Sequence, residues 1–509
     1  MEYLVVMEVS QKQNYIFKTN RLMENIGASV IIREITEVIP ERAAEEAVSQ
    51  LGGTQKLILE GGGKSVYSFS THALAYEFTK KMSRKVLTEY PGVELFMASS
   101  SYDETRESVV EAVNVLYRKL EVKKASREST FRLYDLGITR QCEDTQLPAV
   151  KVNERGQYIS AEAAAKLSAA KNRQRELFEQ LLPETDEKRY RFANEFEELG
   201  GTREDKNYIA VVVIDGNRMG KKIECFRKEF VKRYPVKGKE ANEAYEKEIL
   251  KLSKEIDAAY KNAVGQMVEK LASNLENLLK RDILSRNEEK DGTVILPIRP
   301  LILAGDDICF VTDARIGMAL AKEVLQNIEN IRLEALSGIE MRASAGVAIV
   351  KERYPFFRAH ELAEELCHSA KSILREEKDE SVIDFHVVQG EIEGSLSEIR
   401  FEKYNRGKLT SKPYYLHTQE GPASSIPVFE KHMKIFKSGA VGISAIKEYR
   451  TALCKGEAAA RKYLSDKRVQ LRMQEKIKMT LPDSYISGRC IDFDVLEMLD
   501  LYEALEGEV

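Results

Sequence analysis

One order of elements, strand, helix, hairpin, helix, strand, is written into this chain twice, and it fixes the kind of sheet each half can form. The first copy runs from "YLVVMEV" through "NRLMENIGASVIIREITEVI" to "KLILEGGGKSVYSFS", then "THALAYEFTKKMSRKVLTEY" and "VELFMASSSY". The second runs from "YIAVVVID" through a helical segment to "RPLILAGDDICFVTD", then "IGMALAKEVLQNIENI" and "MRASAGVAIV". Strands and helices in this order fold as a ferredoxin-like α+β unit. Helices are read from spacing: Ala321, Val324, Leu325 and Ile328 share one face, as do Ala359, Leu362, Ala363, Leu366 and Ala370. The expected division is a first unit over 1–120, a charged helical connector over 121–205, a second unit over 206–390 and a mainly helical C-terminal domain over 391–509. A helical insertion at about 225–290 interrupts the second unit.

Composition narrows the functional classes. The chain has 509 residues, 43% apolar and 31% charged, with a formal net charge of −4. Such a chain can bury large cores, but it has no global basic field for nucleic acid. Its densest basic stretch, "KKIECFRKEFVKRYPVKGK", is most simply a solvated helix face. Six scattered cysteines, with no C-x-x-C pair, argue against a zinc site or a disulfide framework. The opening "MEYLVVMEVS" lacks the basic region and length of a signal peptide, and no stretch approaches a membrane span, so a cytoplasmic protein without membrane contact is expected.

The chemistry concentrates in "LILAGDDICFVTD", where two adjacent aspartates follow a glycine inside an apolar pattern. Asp215 ends "YIAVVVID" at the tip of the strand expected at the sheet centre, and Asp306 and Asp307 occupy the neighbouring hairpin turn. Carboxylates this close repel unless neutralised, and Mg²⁺ or Mn²⁺ held by oxygens is the ordinary answer. Two such ions activate a hydroxyl and stabilise a leaving pyrophosphate, which is nucleotidyl-transfer chemistry. The plainer alternative is a polar turn, since Gly-Asp pairs are common there. Asp215, followed by Gly216, Asn217 and Gly220 in "GNRMG" with room for phosphate, favours the metal site. The first copy has "GGGK" in place of "AGDD", so Gly61, Gly62, Gly63 and Lys64 either bind a second nucleotide's phosphates or serve only as a turn.

"VVVIDGNRMGKKIE", "PIRPLILAGDDICFVTD", "RASAGVAIVKERYPFFRAHELAEELCHSAK" and "VIDFHVVQGEIEGSLSEIR…LTSKPYYL" resemble the second palm of the polymerase-like large subunit of type III CRISPR effector complexes. "SQKQNYIFKTNRLMENIGASVIIREI" and "EGGGKSVYSFS" resemble its first palm. The likeness spans most of residues 1–420 and extends more distantly to GGDEF-type and class III nucleotidyl cyclases. It implies two ferredoxin-like palms that convert ATP into cyclic oligoadenylate. Carried over, it makes Asp215 and Asp306 metal ligands, Asp307 a further ligand or orienting partner, and Gly305 the tight turn. Lys371 becomes a phosphate-binding lysine, or else a plain surface lysine, and Ser344 a residue that lines the nucleotide pocket or only packs.

Several departures mark a compact relative. Ala304 replaces the first glycine of the usual G-G-D-D, and Asn217 stands where many relatives have a second aspartate. The family's HD nuclease domain and cysteine-rich zinc module find no counterpart. Two functions follow as expectations: a cyclic oligonucleotide synthase in antiviral defence, or a non-catalytic scaffold of an RNA-guided complex. A templated polymerase fits less well, because no basic channel is evident. Expected partners are nucleoside triphosphates and, by resemblance, effector subunits and guide or target RNA, with a homo-oligomer left open.

Overall fold

The computed structural model describes residues 1–126, 137–153, 155–184, 188–199, 207–284, 288–289, 291–336, 338–375, 378–390, 394–404, 408–417, 424–438, 442–466, 485–486 and 488–506. In the first palm, β1 (Glu2–Ser10) leads through α1 (Lys12–Phe17), α2 (Leu22–Arg33) and α3 (Ile39–Leu51) to the hairpin β2 (Gln55–Gly61) and β3 (Lys64–Phe69). Then follow α4 (His72–Glu89), β4 (Glu94–Tyr102) and α5 (Val109–Ala125). The sheet is antiparallel in the order β2-β3-β1-β4. Leu4 and Val6 of β1 enter the same core as α5, whereas Val5, Met7 and Val9 enter the core built by α2, α3 and α4. Burial on both faces explains why "YLVVMEV" reads as a continuous apolar run rather than an alternating one.

The connector is less purely helical than its composition suggests. A small hairpin, β5 (Ala149–Val152) with β6 (Tyr158–Ser160), precedes α6 (Ala161–Phe178), whose first turn is capped by Ser160 accepting from the Ala163 amide at 3.2 Å. β7 (Tyr190–Phe192) follows. Gly27 lets α2 lie directly on α6: a Cβ there would stand 1.8 Å from the Lys166 carbonyl oxygen.

The second palm repeats the plan. β8 (Tyr208–Gly216) is followed by α7 (Met219–Arg233), α8 (Lys239–Lys280), β9 (Val294–Leu296), the hairpin β10 (Ile298–Ala304) and β11 (Asp307–Asp313), and α9 (Ala314–Glu329). β12 (Ala343–Lys351), α10 (Phe356–Ser372) and β13 (Val382–Val387) complete it. β9 leaves the main sheet and pairs in parallel with β7 of the connector. The large sheet runs β10-β11-β8-β12-β13-β14, where β14 is Tyr414–Tyr415 and only the β12/β13 pair is parallel. Ala210, Val212 and Ile214 face α8 and α9, and Ile209 and Val211 share a core with α10 and the first palm.

The charged insertion is a structural spine. At 42 residues α8 is about 63 Å long, with Tyr245, Ile249, Leu252, Ile256 and Tyr260 buried along one stripe. It packs on β2 of the first palm and on α9 of the second. The basic stretch on α7 is mostly laced to acids, as a solvated face would be: Lys228 to Glu224, Lys232 to Glu229 and Arg233 to Glu248. Lys222 departs from that reading, being buried against Asp379 at 3.2 Å. Beyond the second palm come short helices, including Ile426–Lys437, Ile443–Cys454, Glu457–Ser465 and Ile491–Glu497. They dock through a buried polar cluster in which His432 meets Asp492 at 2.6 Å and Lys412 meets Glu497 at 3.0 Å. The second half of the helix expected over "GEAAARKYLSDKRVQLRMQEKIKM" lies outside the described residues.

No helix among the described residues is long and apolar enough to cross a membrane. Gly346 of β12 sits beneath α10, and a Cβ there would lie 2.0 Å from the Ala363 carbonyl oxygen. Gly346→Ala is therefore expected to push α10 off the sheet at a cost of about 1–3 kcal/mol, read as a lowered midpoint in denaturant unfolding.

Candidate active site

Register places the carboxylates. In the β11/β8 ladder Asp307 stands opposite Asp215, and on the other side of β8 Asp215 stands opposite Ser344. Asp306 occupies the two-residue turn between β10 and β11 with Gly305, whose φ of +64° suits glycine. Three aspartates thus meet at one edge of the second palm because a strand end and a hairpin turn coincide there.

Burial and mutual repulsion set their proton affinity. Asp306 is pushed up to about 7, first by burial and then by Asp307 and Asp215. Burial also raises Asp215, with Asp307 adding to the rise and Lys371 opposing it. Lys371, near the end of α10, donates to Asp215 Oδ2 at 2.5 Å and to the Gly216 carbonyl at 3.2 Å. Lys12, just past the end of β1 in the other palm, donates to Asp307 Oδ2 at 3.0 Å and to the Gly62 carbonyl at 3.2 Å. Tyr260 of α8 is 1% exposed, and its hydroxyl has no hydrogen-bond partner among the described residues. That hydroxyl would lie 2.7 Å from a Cβ built on Gly216, and the charges of Asp306 and Asp215 add to the burial that raises its pKa.

No three His, Cys, Asp or Glu side chains among the described residues close on a common metal position. The donor chemistry still fits a hard divalent cation: the side chains gathered here offer carboxylate oxygens, and an orphaned buried hydroxyl lies beside them. Two ammonium groups stand where positive charge is needed.

Residues 208–381 match the family model described as Cas10/Cmr2, second palm domain. Over that stretch the chain is like the second palm of Cas10. Its fold is similar to the crystal structure of Csm1 in T. onnurineus, with 15% identity over 98% of this chain and 69% of that one and a TM-score of 0.53. It is also similar to the apo Csm1–Csm4 cassette, with 16% identity over 98% of this chain and 69% of that chain and a TM-score of 0.50. At such identities the likeness is one of fold. No curated protein matches the chain.

The first palm carries the same register with different charges. Glu8 pairs with Lys64 as Asp215 pairs with Asp307, and the turn between β2 and β3 is Gly62 and Gly63 where the second palm has Gly305 and Asp306. Lys124 of α5 reaches Glu8 Oε1 at 2.7 Å, as Lys371 of α10 reaches Asp215. One carboxylate between two ammonium groups has no capacity left for a divalent cation. Lys64 is held 3.3 Å from Glu8 and lies over the Tyr117 ring, so reaching a phosphate requires it to leave both.

Other residues singled out from the sequence fall into two groups. Gly61, Gly62, Gly63 and Gly305 line one cavity of about 290 Å³ between the two hairpin turns, together with Lys12 and Asp257. Asn217 and Ser344 do not face open space. Ser344 Oγ donates to Asn217 Oδ1 at 2.9 Å, the Asn217 amide donates to the Glu380 carbonyl at 2.8 Å, and both residues are fully buried. Asn217 thus ties the loop after β8 to its neighbours. Gly220 is exposed in the first turn of α7 with open space around its Cα, so no contact of its own requires glycine.

Sequence reasoning missed Lys12, Glu8, Lys124 and Tyr260. Aligning the two copies on their hairpins would have exposed Glu8, because both central strands carry an acid near their end. Lys12 and Tyr260 reach the site from another palm and from the inserted helix, and periodicity carries no signal for that.

A carboxyl titrating near 7 in the fold but near 4 in the unfolded chain favours folding fully only below the lower value. That contribution is lost as pH rises to about 7 and stays lost above it. Relative to wild type, Asp306→Asn should therefore gain stability between about pH 4 and pH 7, by about 1–2 kcal/mol once solvent screening at this partly buried site is allowed for. Melting temperatures of both proteins across that range, without divalent cations, check this.

Proposed function

We propose that this chain is a metal-dependent nucleotidyltransferase that joins ATP into a cyclic oligoadenylate messenger in a type III CRISPR-like antiviral response. The observation that carries it is the convergence of Asp215 and Asp307 on paired strands with Asp306 in the adjoining turn, beside a cavity bounded by the hairpin turns of both palms. Mg²⁺ or Mn²⁺, when bound, supplies activation of an attacking 3′-hydroxyl and neutralises the leaving pyrophosphate. The three aspartates would hold it. Lys371, which contacts Asp215 at the carboxylate edge, would exchange it for a phosphate oxygen. The cavity of about 290 Å³ has room for the base or sugar of a nucleotide. The divisions at 1–120, 121–205, 206–390 and 391–509 belong to the same proposal.

A scaffold reading has its own support. Lys371 and Lys12 already satisfy Asp215 and Asp307, and no three-donor cluster stands preformed among the described residues. Either reading is compatible with an effector assembly, since the Csm1 it resembles is seen in a cassette with Csm4. We extend that to a Csm4-like partner for this chain, with guide or target RNA as the candidate activator.

The deciding experiment incubates the purified protein with each NTP and Mn²⁺ or Mg²⁺ and reads products by mass spectrometry. Wild type is expected to make a cyclic oligonucleotide from ATP. Asp306→Ala/Asp307→Ala should lower the yield by at least about 100-fold, the scale of losing preorganised charge stabilisation. Product from the double variant at the wild-type rate removes the assignment. If wild type is inert but binds ATP, an activator is missing; if it binds none, the scaffold reading stands.

For the first palm, Lys64→Ala is expected to weaken ATP binding more than Mn²⁺ binding, measured by calorimetry. Equal affinities in variant and wild type would limit that palm to a structural role.

A further inference from the structure

The contact between Lys12 and Asp307 is the point at which the first palm enters the second palm's carboxylate cluster. Lys12 follows Gln11, which holds a left-handed φ of +50° and turns the chain off the end of β1. From there the ammonium spans 3.2 Å to the Gly62 carbonyl in its own palm and 3.0 Å to Asp307 Oδ2 in the other. Its side chain is 21% exposed and also lines the cavity between the two hairpins. The aliphatic stem runs under the turn, since a Cβ on Gly63 would lie 3.5 Å from Lys12 Cδ. Lys12 is therefore a fixed positive charge that belongs to one palm and neutralises the other.

We propose that Lys12 is a positioning residue with two opposite effects: it competes with a divalent cation for Asp307 in the nucleotide-free protein, and it holds polyphosphate once nucleotide and metal enter together. This rests on the metal-site reading of Asp215, Asp306 and Asp307. The reason is electrostatic. A divalent cation at Asp307 and an ammonium 3.0 Å from the same oxygen repel each other, so metal alone binds against Lys12. A nucleotide brings phosphate oxygens that the ammonium and the metal can share, and the same charge then favours binding. Metal without nucleotide is disfavoured, and metal with nucleotide is favoured. The first palm thus makes loading of the second palm conditional on substrate.

The test is a change of sign. Mn²⁺ uptake by the full chain is followed by electron paramagnetic resonance of the free ion, first alone and then with a non-hydrolysable ATP analogue. Lys12→Met is expected to tighten Mn²⁺ binding about fivefold without nucleotide, the scale of one partly exposed ion pair, and to weaken analogue binding in the presence of Mn²⁺ by a similar factor. Lys12→Arg, which keeps the charge, should restore both towards wild type. A Lys12→Met protein that loses both affinities marks a purely structural strap between palms and overturns the proposal, as does one that changes neither. Wild-type protein that takes up no Mn²⁺ removes the metal-site reading and the Lys12 role with it. Uptake by wild type with no change of sign in Lys12→Met removes the Lys12 role alone.

Discussion

Three carboxylates on two hydrogen-bonded strands and the turn beside them cannot all stay ionised without positive charge nearby, and the site is organised around that constraint. Asp215 and Asp307 face each other across the β8/β11 ladder, and Asp306 sits in the adjoining turn. The protein answers with ammonium groups from opposite directions, Lys371 from the helix after β12 and Lys12 from the other palm. Asp306 makes no ion pair among the described residues, and burial with its two acidic neighbours outweighs the Lys371 charge and raises its pKa. The cluster is thus satisfied at Asp215 and Asp307 by lysines and left strained at Asp306.

The two palms show how one backbone register supports opposite electrostatics. Each central strand carries an acid near its end, each acid faces the first residue after a two-residue turn, and each is met by a lysine from the helix that follows the fourth strand of the repeat. Replacing Asp306 and Asp307 with Gly63 and Lys64 converts a carboxylate excess into an ammonium excess. Backbone hydrogen bonds set the positions and side chains set the charge, so the second can change without disturbing the first. Carboxylates thus gather in one palm and ammonium groups in the other, with the cavity lying between the two hairpin turns.

Much of this was legible from residue order. Continuous apolar runs for β1 and β8 marked strands buried on both faces, and the glycine turns marked the hairpins. The inserted helix was legible as a helix but not as a spine. Its stripe of Tyr245, Ile249, Leu252 and Ile256 states that one face is buried, not that it is buried against both palms. Asn217 and Ser344 show a related limit: their place beside the carboxylates was legible, but not that they hydrogen-bond to each other.

By itself, then, the sequence determined the two ferredoxin-like units, the strand-end position of Asp215 and the turn position of Asp306 and Asp307. Local propensity, burial period and turn chemistry act over a few residues, and all three are written in consecutive positions. Only the tertiary structure decided that Lys12 neutralises Asp307, 295 positions away, and that Tyr260 is buried beside the cluster without a partner. Those contacts depend on how the two palms and α8 pack, which is set by the summed fit of distant surfaces and leaves no periodic trace in the chain.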